Sequence, residues 1–393
     1  MNQKEFEEKC SIERINTNSV KWDGLKKKFG EDNLLSMWVA DMDFKVPQEV
    51  INVLNKKIEH GVFGYAEIKD SYYDAFIKWE EEKHNYRVKK ESIRYSPGVV
   101  SAIYWLVNIL TKENDSIIIS TPVYYPFHNA VKENNRKLII SDLKNNNGYY
   151  SFDFIDFERK IVENNVKIYI LCSPHNPVGR VWKESELRTI LEICKRNNVI
   201  VISDEIHHDL VLEGKHIPTA IIDNYKYEDM VITLTAPSKT FNLAGCKNSF
   251  VIITNNEIME KFDKYTSTVV RVTNGNEFGY LAAEAAYTQG DRWLNGVKKT
   301  LKQNFDYMKE TLERELPLAK ISPLEGTYLA WINMENYIQN DELENIIQGK
   351  CKLAVDYGHW FGDAGQGCIR INIATSKDNI IEAMDRIVKE IKK

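Results

Sequence analysis

Residues 231–240 of this chain read Val-Ile-Thr-Leu-Thr-Ala-Pro-Ser-Lys-Thr. The first half of this stretch is mostly apolar and β-branched, which is typical of a strand that is covered on both faces. Lys239 therefore lies just beyond the end of a buried strand, where it is partly desolvated. Desolvation favours the neutral amine, which can attack an aldehyde. A surface lysine at a strand end is the alternative interpretation, and for this motif alone it is the commoner one.

Two further polar residues follow predicted strands in the same way. Asp204 comes directly after the apolar run Val199–Ile202, and Asn176 lies in a loop after the predicted strand Lys167–Cys172. Open α/β sheets bind ligands at the carboxyl ends of their parallel strands. An enzyme that uses pyridoxal 5'-phosphate (PLP) needs a lysine amine, a carboxylate facing the pyridine nitrogen, a phosphate-binding element and a cation for the substrate carboxylate. The Asn176 amide could donate to the phenolic oxygen of the cofactor. The three residues together predict a PLP site, although singly Asp204 fits a loop or helix cap and Asn176 fits a turn.

The chain as a whole alternates β-rich runs with helical segments from about residue 92. This pattern predicts an α/β fold with a mostly parallel sheet, followed by a smaller α+β part that begins with a long helix. We assign residues 47–291 to the large domain, and residues 1–46 and 292–393 to the small domain. The predicted strands are Ser116–Ser120, Lys137–Ser141, Lys167–Cys172, Val199–Ser203, Val231–Thr235, Asn248–Thr254, Tyr328–Asn333 and Cys368–Ala374.

A phosphate group needs its own binding elements, and the chain offers several. Gly98, Val99 and Val100 open a predicted helix, whose free backbone N–H groups and dipole favour an anion. Ser238 and Lys247 could add a hydroxyl group and a positive charge. Every helix has such an end, so this motif supports the interpretation without establishing it.

Three more side chains complete the predicted site. Tyr124 follows a strand and could stack on the pyridine ring, although a core role is the default for any one of twenty tyrosines. His207 could reach the phenolic oxygen of the cofactor. Arg370 lies in a strand, where its guanidinium could bind a substrate α-carboxylate in bidentate fashion or form a structural salt bridge.

The sequence analysis predicts no metal site. His207, His208 and Asp209 are candidate ligands, but adjacent histidines diverge and no His-x-x-x-His or Cys-x-x-Cys spacing supports them.

Composition excludes several classes of function. With 393 residues, 43% hydrophobic and 28% charged, the chain is typical of a soluble globular protein. A net charge of −5 does not favour nucleic acid or an anionic membrane as a partner. The N-terminus has no apolar signal region, and the six cysteines contain no Cys-x-x-Cys pair. We therefore expect a cytoplasmic protein with reduced cysteines.

In order, Ser96-Pro97-Gly98, Tyr124, Asn176-Pro177, Asp204, Ser238-Lys239 and Arg370 resemble the motifs of the fold-type I PLP enzymes, the aspartate aminotransferase superfamily. The strings Trp38-Val39-Ala40-Asp41-Met42-Asp43-Phe44, Val62-Phe63-Gly64-Tyr65 and Ser203-Asp204-Glu205-Ile206-His207 narrow the resemblance to the MalY/PatB branch of cystathionine β-lyases. His207 and Lys247 stand where aminotransferases usually have tyrosine and arginine, which matches the lyase branch better.

The resemblance implies a seven-stranded, mostly parallel sheet in the large domain. It also implies a homodimer with active sites at the subunit interface, in which Tyr65 reaches the cofactor of the neighbouring subunit. Trp38, Val39, Ala40 and Asp41 would line the substrate entrance, and Asn176 would contact both cofactor and substrate.

The expected function is β-elimination of L-cystathionine and related cysteine S-conjugates, giving a thiol, pyruvate and ammonia. An aminotransferase acting on an L-amino acid is the alternative, because both reactions begin by removing the substrate Cα proton. A regulatory protein that carries the cofactor is a third reading, although no DNA-binding helix pair or basic tail supports it.

Overall fold

The structure, a computed structural model, describes residues 2–393; Met1, assigned above to the small domain, lies outside the described residues. The described residues form fifteen strands: β1 (Leu35–Ser36), β2 (Ile93–Ser96), β3 (Ser116–Ile119), β4 (Lys137–Ile140), β5 (Lys144–Asn146), β6 (Tyr149–Ser151), β7 (Ile168–Cys172), β8 (Ile200–Asp204), β9 (Val231–Thr235), β10 (Ser249–Ile252), β11 (Lys320–Ile321), β12 (Leu329–Asn333), β13 (Leu353–Ala354), β14 (Asp356–Tyr357) and β15 (Cys368–Asn372).

The same residues form fifteen α-helical segments: α1 (Gln3–Cys10), α2 (Val20–Asp23), α3 (Leu25–Phe29), α4 (Gln48–His60), α5 (Asp70–His84), α6 (Val99–Leu110), α7 (Pro126–Lys132), α8 (Phe154–Asn164), α9 (Glu184–Arg196), α10 (Ile222–Tyr225), α11 (Pro237–Thr240), α12 (Asn256–Tyr265), α13 (Glu277–Gln289), α14 (Asp291–Glu315) and α15 (Lys377–Ile391). None of these helices combines the length and the apolar character that a membrane span requires.

The central sheet has seven strands in the order β2-β10-β9-β8-β7-β3-β4. All neighbouring pairs are parallel except those of β10, which runs antiparallel to β2 and β9. Helices cover both faces, so alternate strand residues belong to two different hydrophobic clusters. Ile118 and Tyr169 point to one cluster, while Ile117 and Ile168 point to the other. This burial on both sides explains the near-continuous apolar runs in the sequence.

A smaller antiparallel sheet, in the order β11-β12-β15-β14, is formed by the C-terminal part of the chain and packs with the helices α14 and α15. The N-terminal segment joins this part because β1 pairs in parallel with β13. The arrangement agrees with an α/β fold plus a smaller α+β part, and the domain boundaries at residues 46/47 and 291/292 stay predictions.

One strand of the central sheet was missed in the sequence. The strand β2 is short, contains a charged residue, Arg94, and lies at the edge of the sheet. Arg94 forms a hydrogen-bonded ion pair with Asp263, and this contact accounts for a charge at a half-buried position. The other predicted strands are confirmed to within one or two residues at each end.

Candidate active site

The predicted site residues converge at the carboxyl ends of three adjacent parallel strands. Asp204 is the last residue of β8, which lies between β7 and β9. Asn176 follows β7, and Lys239 lies in α11, immediately after β9. These residues share a cavity of about 610 Å³. It is lined by Ala40, Pro97, Gly98, Val99, Val100, Ser101, Tyr124, Cys172, Asn176, Asp204, Ile206, His207, Ser238, Lys239, Ala244, Lys247 and Asn248.

Asp204 is a buried carboxylate that faces this cavity with little support from the protein. Its Oδ1 accepts one hydrogen bond, from the Ile206 N–H at 3.1 Å. Burial raises the pKa of Asp204 from 3.8 to about 7, even though the nearby Lys239 amine acts in the opposite direction. Such a carboxylate would be stabilised by a cationic or proton-donating group in the cavity.

Lys239 lines the same cavity, and a hydrogen bond holds its amine. Its Nζ donates a hydrogen bond to the Ala40 carbonyl at 2.6 Å and has no carboxylate within ion-pair distance among residues 2–393. Burial lowers the pKa of Lys239 from 10.5 to about 8, and the positive charge of Arg370 acts in the same direction. The amine is therefore about half neutral near pH 8, and a nucleophile or general base acts in its neutral form.

His207 is buried beside these two groups and packs edge-on against Tyr328, with ring centroids 5.7 Å apart. Burial lowers its pKa well below 6.5, with further contributions from Lys239 and Arg370. Its Nδ1 is buried and lacks a hydrogen-bond partner in the part of the chain that the structure describes. A neutral imidazole with a free ring nitrogen can serve a polar group of a bound ligand.

One end of the cavity is suited to an anion. The helix α6 begins at Val99 after Gly98, and no side chain caps its first turn. A Cβ atom on Gly98 would meet no atom within 4 Å, so the backbone there borders open space. Ser238 and the exposed Lys247 also line this cavity. Free N–H groups, the helix dipole and a lysine together favour a phosphate group.

Arg370 lies in β15 of the smaller sheet and reaches the same region. Its Nη1 donates to Asn176 Oδ1 at 2.9 Å, and its Nη2 donates to the Trp38 carbonyl at 3.2 Å and to the buried carboxylate of Asp356. The Nε atom is buried and has no partner from residues 2–393. One N–H of the buried guanidinium thus lacks an acceptor in residues 2–393, while Asp356 balances the positive charge.

The segment from Trp38 to Asp41 is fixed over the cavity through its backbone. Asn372 donates to the carbonyls of both Val39 and Asp41 at 2.6 Å. Ala40 lines the cavity, and its carbonyl oxygen accepts hydrogen bonds from Lys239 and from Tyr328, the latter at 2.7 Å.

Asn372, Tyr328 and Asp356 were missed in the sequence analysis. Asn372 follows Arg370 by two residues on a strand, so its placement on the same face was a usable signal. No sequence signal pointed to the other two.

Tyr65 is the one predicted catalytic residue that this chain does not bring to its own cavity. It is fully exposed, and its neighbours Val62 and Phe63 are more than half exposed. Tyr124 lines the cavity, and its backbone N–H donates to the Asn176 carbonyl at 3.1 Å.

Comparison with known proteins places this geometry in a family. The profile of the aminotransferase class I and II family matches residues 33–387. Cystathionine beta-lyase PatB of Bacillus subtilis is 37% identical over 95% of this chain and 97% of its own length. A PLP-bound protein of Clostridium difficile 630, provisionally described as an aminotransferase, is 41% identical with a TM-score of 0.94 over 97% of this chain and 98% of its own.

A second solved structure, the PLP-bound C-S lyase of Staphylococcus hominis, is 33% identical with a TM-score of 0.90. The alignment covers 97% of each chain. The family profile and the relatives each match nearly the whole sequence of this chain. The chain belongs to the aminotransferase class I and II family, in the branch that contains PatB.

Proposed function

We propose that this protein is a PLP-dependent carbon–sulfur β-lyase that converts L-cystathionine and related cysteine S-conjugates to a thiol, pyruvate and ammonia. The observation that carries the proposal is one cavity shared by the Lys239 amine, the buried Asp204 carboxylate and the uncapped start of α6. The names of PatB and of the Staphylococcus hominis enzyme favour a lyase over other reactions of the family.

The cavity fits PLP in size and in chemistry. Its volume of about 610 Å³ lies within the range of small-molecule pockets. Lys239 would hold the aldehyde carbon, Asp204 the pyridine nitrogen, and the start of α6 with Ser238 and Lys247 the phosphate. Asn176 and His207 would donate to the phenolic oxygen, and Tyr124 would cover the ring. The unpartnered Nδ1 of His207 and the weakly supported Asp204 are polar groups that such a ligand would satisfy.

When bound, PLP supplies a covalent attachment point for the substrate amine and accepts electrons from the substrate Cα. The chain supplies orientation and proton transfer. Arg370 would bind the substrate carboxylate through its free Nε, with Asn176 fixing the plane of the guanidinium. Asp204 would keep a proton on the pyridine nitrogen, because a carboxylate in this buried position favours an adjacent cation.

Elimination then requires loss of the Cα proton, cleavage of the Cβ–S bond and protonation of the leaving sulfur. Lys239 would take the Cα proton on its Nζ, whose pKa burial lowers, and could return that proton to the sulfur. The Cβ–S bond breaks with its electron pair on sulfur, and the thiolate takes up a proton. The remaining 2-aminoacrylate reacts with one water molecule to give pyruvate and ammonia, so that atoms balance.

The product assay distinguishes this function from its alternatives. L-Cystathionine added to the purified protein, without any keto acid, should yield pyruvate and free thiol in equal amounts. Conversion of the cofactor to its amine form without thiol release would instead establish the aminotransferase. Turnover near background would contradict both enzymes and favour a regulatory protein.

The low pKa of Lys239 gives a pH prediction for the cofactor-free chain. Only the neutral amine attacks the PLP aldehyde, so the rate of covalent uptake should rise with pH through a midpoint near 8. Stopped-flow absorbance measures this rate from pH 6 up to about 10.5, close to the pKa of an ordinary lysine side chain. A midpoint near that of free lysine would contradict the desolvated amine.

We also propose a homodimer in which Tyr65 acts in the cavity of the partner subunit. Val62 and Phe63, each 59% exposed, and the fully exposed Tyr65 form an apolar segment that a second copy would cover. Light scattering should give about twice the chain mass of 45.7 kDa. Mixing the Tyr65→Phe and Lys239→Ala variants should restore part of the activity, because one active site of a mixed dimer then has both Lys239 and Tyr65 intact. A fully active monomer would contradict the proposal.

A cytoplasmic location is part of the same proposal. The six cysteines are all unpaired, and five of them are buried. Reduced cysteines in the core are what a reducing compartment favours.

A further inference from the structure

A cluster of histidine and acidic side chains lies outside the cavity, behind the loop that follows β8. Glu80 and His84 are four residues apart on the helix α5, so they lie on one face of it. His208 reaches them from the loop. Each of these three residues offers one metal-ligand atom, and the three atoms lie within 4.8 Å of one another. Glu80 is 3% exposed and His208 is 2% exposed.

The ring of His208 is oriented as in a metal-binding histidine. Its Nδ1 lies 2.6 Å from the Glu205 carbonyl oxygen. A carbonyl oxygen only accepts, so Nδ1 carries the proton and donates to it. Nε2 then faces the cluster. A backbone carbonyl that fixes the tautomer through the other ring nitrogen is the usual second interaction of a histidine ligand.

Two atoms that face each other in this cluster lack hydrogen bonds. His208 Nε2 lies 3.1 Å from Glu80 Oε1 and 3.3 Å from Asp209 Oδ2. Neither His208 Nε2 nor Glu80 Oε1 has a hydrogen-bond partner among the described residues, although both are fully buried. The two atoms thus meet at ion-pair distance without an aligned hydrogen bond, and a cation between them would bind both.

Asp209 lies beside the cluster and contacts the ring of His84. Its Oδ1 lies 2.8 Å from His84 Nε2 and accepts from Trp79 Nε1 at 2.9 Å. Its Oδ2 accepts from the Thr240 hydroxyl at 2.7 Å. A carboxylate that fixes a histidine ring in this way is a common support for a metal ligand. Thr240 directly follows Lys239 in the sequence, so the hydrogen bond connects the cluster to the segment that carries Lys239.

We propose that Glu80, His84 and His208 bind one divalent transition-metal ion per chain, of the Zn²⁺ class, as a structural site. Two imidazoles and a carboxylate are the donors that Zn²⁺ accepts in proteins. The ion would join α5 to the loop after β8. The prediction of no metal site considered only residues that are close together in the sequence. Glu80 and His84 lie more than 120 positions from His208.

The test uses the full-length, tag-free protein with its cofactor. After dialysis against a chelator, calorimetric titration with Zn²⁺ should show one ion per chain, bound with micromolar or tighter affinity. Glu80→Gln and His208→Gln should each weaken binding by about tenfold or more, the scale on which removing even a supporting residue acts. His359→Gln serves as the matched control, because His359 is half exposed and lies outside the cluster.

Two results would overturn the proposal. One is wild-type protein that binds no Zn²⁺; the other is a His208→Gln variant that binds as tightly as wild type, which would show adventitious binding at the surface. Co²⁺ offers a measurement that needs no variant, since four-coordinate Co²⁺ gives intense visible bands. Their absence in Co²⁺-titrated wild type would show that a proton, not a metal ion, lies between His208 and Glu80.

Discussion

Replacing Lys239 with alanine is expected to abolish β-elimination, with kcat falling by about 10³-fold or more. In the proposed mechanism the substitution removes the covalent anchor of the cofactor and the base that takes the Cα proton, and a positioned base alone contributes about 10²–10⁴-fold. The Ala40 carbonyl would lose the hydrogen bond from Lys239 but keep the one from Tyr328. Pyruvate release and the visible absorbance of the lysine-bound cofactor measure the two losses.

A control separates this effect from the removal of any lysine. Lys261→Ala removes an exposed lysine of α12 that pairs with Glu257, and it should retain full activity and absorbance. Thermal denaturation of Lys239→Ala should show a folded protein, because the native amine is desolvated and has no carboxylate partner in residues 2–393. A Lys239→Ala variant with wild-type turnover would disprove the assignment of this residue.

Much of the fold could be predicted from the sequence because the central strands are buried on both faces. The run Val231–Leu234 and the run before Asp204 stand out as apolar segments, and Lys239 and Asp204 lie at the carboxyl ends of the strands that these runs form. Local patterns thus predicted that Lys239, Asp204 and Asn176 lie close together, and all three line one cavity. The edge strand β2 escaped detection because Arg94 interrupts its pattern and is stabilised by Asp263, far along the chain.

The remaining parts of the site depend on contacts between distant segments. Asn372 and Tyr328 support the backbone of Val39 to Asp41 from about 290 to 330 positions away. The cluster of Glu80, His84 and His208 joins a helix to a loop that comes after seven intervening strands. Single-sequence patterns report neighbours along the chain, so such contacts become visible only in the folded molecule.

Replacing Arg370 with glutamine should impair both catalysis and folding. The substrate carboxylate loses its cation, so KM should rise strongly. Burial already raises the pKa of Asp356, and the substitution removes its only ion-pair partner among the described residues. Breaking a buried ion pair in this way costs about 3–5 kcal/mol of stability. Urea denaturation and steady-state kinetics measure the two effects.

The double variant Arg370→Gln/Asp356→Asn separates these two roles. It removes the unpaired buried carboxylate, so most of the lost stability should return, whereas KM should stay high because no cation faces the substrate. The destabilisation of the single variant should also depend on pH. Without Arg370 the folded-state pKa of Asp356 lies above its unfolded value, so the carboxyl keeps its proton longer in the folded state. Stability is then lost as pH rises, and the deficit should be larger at pH 8 than at about pH 5. A double variant with a wild-type KM would show that Arg370 serves the fold and that another group binds the substrate carboxylate.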